Sequence, residues 1–234
     1  MLIGIDAWTH KGWALQELKK YDEAIECWNK SIQIDDNNNH VNEWNKDTQI
    51  IIHHNLKGRP EITIFNRIFA EKLITKGTAY NFLGKYEQAI EYYNKALEID
   101  PKNGMIWTKK GVALNNLGRY DEAIECCNKA LEIDDKHADA WINRSAALIR
   151  LGKYEEAIEC CNRILEKDAN YALAWYNRAC AKVRNGQIES GINDLEKAVE
   201  IGKDYYVEMA KKDSDFESIR DEERFKAVLS KNTL

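Results

Sequence analysis

Trp107, Trp141 and Trp175 stand 34 residues apart, and each is followed four residues later by a small residue, Gly111, Ser145 or Ala179. Gly118-Arg119-Tyr120, Gly152-Lys153-Tyr154 and Gly186-Gln187-Ile188 follow in the same register. Next come Asp121-Glu122-Ala123-Ile124-Glu125 and Glu155-Glu156-Ala157-Ile158-Glu159. One period upstream, Leu73, Gly77, Gly84-Lys85-Tyr86 and Glu87-Gln88-Ala89-Ile90-Glu91 repeat the pattern, which closes at Asp100-Pro101. A further copy opens the chain with Trp8, Gly12 and Tyr21-Asp22-Glu23-Ala24-Ile25-Glu26. A fixed period of this length means that one supersecondary unit is built again and again.

The spacing within a unit defines what that element is. Trp107, Gly111 and Leu114 fall at i, i+4 and i+7, one face of a first helix, and Ala123, Cys127 and Ala130 fall at the same intervals on a second. Gly118 ends the first helix, because glycine adopts the left-handed turn conformation without a Cβ penalty. The small residues Gly111 and Ala123 let the two helices approach closely; the other units offer Gly12 with Ala24, Gly77 with Ala89, Ser145 with Ala157 and Ala179 with Gly191. Each hairpin leaves one apolar face uncovered, so units must stack to bury it. The 234 residues include 2 Pro and 12 Gly, so regular structure dominates, and 7 Trp with 11 Tyr supply more burial than a disordered chain carries.

The chain therefore resembles the tetratricopeptide-repeat family, whose template is W-x2-L-G-x2-Y, then A-x3-F, then A and P. The resemblance covers about three quarters of the chain, over 5–38, 70–103, 104–137, 138–171 and 172–205. It implies an all-α superhelical solenoid of antiparallel helix pairs, closed by capping helices over 206–234. The departures are Cys127 and Cys161 where the family prefers an aromatic residue, and Asp36 or Ala169 where it prefers Pro. The resemblance also implies a scaffold that binds a protein segment and is not an enzyme. No nucleophile elbow, P-loop, dinucleotide loop or H-E-x-x-H motif stands in the sequence, and no cofactor is expected.

Residues 39–69 depart from the period. The first unit begins near 5 and the second near 70, three residues short of two periods. Two readings are open, a degenerate repeat with three residues lost or a non-repeat insert. Val41 to Asn55 reads as helical, Leu56-Lys57-Gly58-Arg59-Pro60 as a loop, and Ile62 to Phe82 as one long helix running into the second unit. Ile50-Ile51-Ile52, Ile64, Phe65, Ile68 and Phe69 need a partner surface, either neighbouring repeats or another copy of the chain. The second option makes the insert and the N-terminal repeat a homo-oligomer contact, the alternative to peptide binding. At the other end, a helix over about Asp204 to Lys212 precedes Ser214-Asp215-Phe216-Glu217, a capping-box pattern. Phe216, Ile219, Phe225, Val228 and Leu229 are the expected buried residues of this terminal cap.

In the family, first helices line a groove, and the resemblance carries its facing positions over by register. The sixth positions are His10, Thr75, Lys109, Asn143 and Asn177; the thirteenth are Glu17, Phe82, Asn116, Arg150 and Arg184. The fifth positions, Thr9, Ile74, Thr108, Ile142 and Tyr176, lack the Lys of a carboxylate clamp for chaperone C-termini. Lys109, Asn116, Asn143, Arg150, Asn177 and Arg184 thus form the candidate peptide site, offset mainly by Asp139. Asn amides donate and accept, suiting an extended backbone, and Arg guanidiniums take carboxylates in two-point fashion. The expected ligand is an extended, acidic peptide.

The net charge of −5 argues against nucleic acid as a partner, since phosphate contacts need clustered Lys and Arg. No apolar stretch is long enough to span a bilayer, and Met1-Leu2-Ile3-Gly4-Ile5-Asp6 lacks a secretory pattern. Cys126-Cys127 and Cys160-Cys161 sit where second-helix packing residues sit, matched by Cys27, so core packing rather than a disulfide framework or a metal site is expected. The expected setting is a reducing cytoplasm. Cys180 falls at a groove position, within expected reach of thiol reagents.

Overall fold

The computed structural model describes residues 60–230, with side chains from Ala70 onward. The repeat copy at 5–38, His10, Glu17, Cys27 and the apolar residues of 39–69 named above therefore lie outside the described side chains. The described residues are helical throughout, with no strand among them. In chain order the helices are α1 (Pro60–Phe82), α2 (Tyr86–Ile99), α3 (Gly104–Asn116), α4 (Tyr120–Ile133) and α5 (Ala138–Arg150). They continue as α6 (Tyr154–Leu165), α7 (Ala172–Arg184), α8 (Ile188–Gly202), α9 (Asp204–Lys212), a 3-10 turn (Ser214–Ile219) and α10 (Glu223–Ser230). The long helix expected over Ile62–Phe82 is α1. It begins at Pro60, where a missing N–H costs nothing because first-turn donors have no partner in the helix.

The chain divides into two compact units between Ala113 and Leu114, inside α3. In the first, α1 packs along α2. A Cβ on Gly77 would stand 2.7 Å from the ring of Tyr93, so glycine there makes room for a large side chain from α2. The Tyr93 ring is buried, its hydroxyl donates to Thr78 Oγ1 at 3.4 Å, and burial pushes its phenol up to about 12.

In the second unit α4 packs on α5, α5 on α6, α6 on α7 and α7 on α8. α5 also lies against α7, so the first helices of successive pairs are neighbours. Ser145 on α5 and Ala157 on α6 have no exposed surface, and neither has Ala179 on α7. A Cβ on Gly191 of α8 would stand 2.6 Å from Val183 Cγ2 and 3.2 Å from the Ala179 carbonyl oxygen, tighter than ordinary van der Waals contact. Cys126, Cys127, Cys160 and Cys161 are buried, in the packing role their register implies.

Two local devices recur at the period. At the end of each first helix, Gly84, Gly118, Gly152 and Gly186 adopt φ between 70 and 79°. The following N–H reaches back across the turn: Lys85 to Tyr80 O, Arg119 to Leu114 O, Lys153 to Leu148 O and Gln187 to Lys182 O, at 2.8–2.9 Å. These bonds satisfy carbonyls the helix leaves open. At the other turn, the indole N–H of Trp107, Trp141 and Trp175 donates to the carbonyl six residues earlier, Pro101, Asp135 and Ala169, at 2.8–2.9 Å. The tryptophan thereby pins the loop between units, even where Ala169 replaces the family's Pro.

A Cβ on Gly152 would meet only the tip of Tyr154, at 3.9 Å, so the left-handed backbone alone decides what a substitution costs. Gly152→Ala is expected to destabilise the protein by about 1–2 kcal/mol. At roughly 2–4 °C per kcal/mol, thermal unfolding followed by circular dichroism should show a drop of several degrees, smaller for Gly152→Asn.

Candidate functional site

The candidate groove residues lie on three first helices. Lys109 sits on α3 in the first compact unit; Asn116 ends α3 in the second and is exposed. α5 carries Asn143 and Arg150, and α7 carries Asn177 and Arg184. The Asn143 amide donates to the Asp139 carbonyl at 2.7 Å, and its own backbone carbonyl accepts from Asn115 Nδ2 at 2.9 Å. Asn177 Nδ2 donates to Ser145 Oγ at 3.0 Å, tying α7 to α5. Arg184 is exposed and its Nε donates to the Tyr154 hydroxyl at 3.3 Å, which raises its pKa further. Asp139, the expected counter-charge, accepts from the Tyr171 hydroxyl at 3.0 Å; burial chiefly, with Asp139 beside it, pushes that phenol up to about 12.

The C-terminal turn occupies part of this surface, which the sequence reading did not foresee. The 3-10 turn packs on α7, and Asp215 reaches Arg150 at the end of α5, with Nη1 3.0 Å from Oδ1. Tyr176 donates its hydroxyl to Asp213 Oδ2 at 2.9 Å, and the Asp215 backbone N–H donates to Asp213 Oδ1 at 3.0 Å. Phe216 is fully buried, edge-on to Tyr176 with ring centroids 5.6 Å apart and against Phe225 on its other side. The anticipated Ser214/Glu217 capping box does not form; Asp213 is the cap. Of the expected cap residues, Phe216, Ile219, Phe225 and Val228 are buried, and Leu229 is half-buried.

Cys180 requires a correction. Its sequence register places it toward the groove, but it is 2% exposed, with Sγ 3.9 Å from Asp213 Oδ2, because the turn covers it. Burial, with Asp213 and Asp215 beside it, holds its thiol well above the ordinary range. Cys180 Sγ and carboxylate oxygens of Asp213 and Asp215 lie within 4.8 Å of one another, a spacing that could hold a cation. Those carboxylates are already taken by Tyr176, Arg150 and a backbone N–H, which accounts for the cluster without one. Burial raises the Asp215 pKa, opposed by the pull of Arg150.

Stacked helix hairpins at a constant period define a helical-repeat protein. Models of the tetratricopeptide repeat match residues 5–38 and 70–103, 92–125, 117–183 and 172–205. The chain belongs to the tetratricopeptide-repeat family. Among solved structures it is similar to the MamA protein (18% identity, covering 86% of this chain and 92% of that one, TM-score 0.52). A second is MamA from Desulfovibrio magneticus RS-1 (22%, 68% and 93%, TM-score 0.54). A third is YrrB, described as a TPR protein with an unusual peptide-binding site (19%, 88% and 90%, TM-score 0.53). At these identities the likeness is one of fold. No curated protein sequence matches the chain. Among the described residues, no helix is long and apolar enough to cross a membrane.

The buried thiols generate a direct expectation. Burial pushes Cys127 and Cys161 up to about 12 and Cys160 up to about 11, so little reactive thiolate exists at pH 8. In a Cys27→Ser background, iodoacetamide at pH 8 should leave the native protein unmodified by mass spectrometry while alkylating all five remaining cysteines in guanidinium. Rapid native labelling of Cys180 would show that the turn does not cover it.

Proposed function

We propose that the chain is a non-enzymatic interaction scaffold whose first helices hold an extended, acidic segment of a partner protein. The observation that supports this reading best is the placement of Asn143 and Arg150 on α5 beside Asn177 and Arg184 on α7. An extended peptide offers a backbone donor or acceptor at nearly every residue, and amide side chains can answer either. Arg150 already accommodates one carboxylate, that of Asp215. Lys109 and Asn116 hold the corresponding register positions on α3. The family's general role as an interaction scaffold and the peptide-binding site named for YrrB favour capture of a peptide over catalysis. Five buried free thiols suit a reducing compartment, and we place the protein in the cytoplasm.

Capture from a native lysate on the immobilised full chain tests the reading. Asn143→Ala with Arg184→Glu should abolish retention of the specifically held protein while the melting midpoint stays within about 2 °C, as expected for surface changes. Unaltered capture by this folded variant would remove the first-helix surface as the binding site.

A further inference from the structure

The C-terminal turn reaches beyond the last hairpin. α9 and α10 pack on α8 of the last hairpin. The turn instead doubles back over the first helices, onto α7 and as far as Arg150 on α5. What it presents is Asp213-Ser214-Asp215-Phe216: two carboxylates and one ring. The first carboxylate accepts from the Tyr176 hydroxyl, the second from the Arg150 guanidinium, and the ring fills the space against Tyr176. Arg184 stands near enough to feel the charge of Asp215. Each group of the segment meets a complementary group of the first-helix surface, as in recognition of acidic motifs by arginine-bearing grooves.

We infer that residues 213–216 are a resident ligand of the groove's C-terminal end, occupying a pocket that takes an acid-x-acid-aromatic segment of a partner protein once the turn is displaced. This rests on the reading of the first-helix surface as a peptide groove and adds how that groove is regulated. A tethered segment competes at an effective concentration in the millimolar range. With a resident segment whose own intrinsic Kd is about 10 μM, a partner segment would bind the closed protein roughly a hundredfold more weakly than the open one. In the occupied state Asn143, Asn177 and Arg184 stand outside the turn for a first encounter; the Tyr176 pocket and the Arg150 bond now held by Asp215 become available in a second step.

The test uses the full chain and a fluorescein-labelled peptide with the sequence of residues 211–220. Fluorescence anisotropy is read for the wild type and for Asp213→Asn/Asp215→Asn/Phe216→Ala. The variant should bind at least tenfold more tightly than the wild type, and adding Arg150→Glu should return the affinity by at least tenfold. Equal binding to both proteins, no binding to the folded variant, or binding indifferent to Arg150→Glu would overturn the inference. Asp213→Asn/Asp215→Asn keeps the buried Phe216 ring; it must show the same order, and it decides the matter if the triple variant fails to fold. A concentration-dependent wild-type dimer that the triple variant lacks, by light scattering, would assign the pocket to a second copy's segment and overturn the partner reading. Failure of the peptide titration with lysate capture still lost in Asn143→Ala/Arg184→Glu would remove the resident ligand and leave the groove. Peptide binding as expected, with capture unaltered, would confine the pocket to acid-x-acid-aromatic segments and remove the upstream groove.

Discussion

Close approach of the two helices in each pair is the constraint on which the rest depends. Helix axes separated by large side chains would not bring α5 and α7 into contact past α6, and the polar column would be scattered. Ser145, Ala157 and Ala179 are fully buried at the crossings, and the Ala179 carbonyl lies 3.2 Å from where a Gly191 Cβ would be. Interiors packed at crystal-like density tolerate neither a void nor an added methylene at such points. Volume is traded across the pair where it varies: Gly77 faces the Tyr93 ring, whereas Ser145 at the equivalent position has the smaller Cys161 beside it. The period of the tryptophans follows from the same geometry, because each unit must return the chain to an equivalent crossing and pin its loop there.

The last unit adds a charged lock to this apolar scheme. Arg178 makes two bonds to Asp194, at 2.7 and 2.9 Å, and a third to Asn162 at 2.6 Å, while Lys182 approaches the same carboxylate at 2.7 Å. The guanidinium also lies over the Trp175 ring, 4.5 Å from its centroid. One unit earlier, Arg144 lies over Trp141 in the same manner, but Cys160 stands where Asp194 would be, and the Arg144 Nε has no hydrogen-bond partner. A buried pair contributes little over an apolar substitute, yet removing one partner leaves a costly uncompensated charge. The network therefore serves to hold α7 to α8 in one register where the C-terminal turn must find its partners.

Much of this was legible in the residues. The 34-residue period, the glycine stops, the buried cysteine pairs and the long helix into the second unit follow from spacing and from steric rules that act locally. The indole-to-carbonyl bonds were missed although their signal was present, since Trp107, Trp141 and Trp175 each follow the proline position of the preceding unit by six. What spacing could not reveal is what covers a given face. Register placed Arg150 and Cys180 toward the groove, and the turn that pairs with the first and covers the second lies 65 and 33 residues further on. The capping box at Ser214 failed for a related reason: Asp213 offers a carboxylate one residue earlier, and the segment folds against Tyr176 instead of starting an α-helix.

The most direct measurement of the close-approach claim is thermal unfolding of Ala157→Leu beside Ala227→Leu, an exposed alanine on α10. Overpacking a fully buried crossing costs roughly 1–3 kcal/mol. At roughly 2–4 °C per kcal/mol, Ala157→Leu should melt several degrees below the wild type. The exposed substitution should leave the midpoint nearly unmoved. Equal midpoints for the two variants would contradict the account, because the crossing would then have room for a side chain that backbone contact forbids.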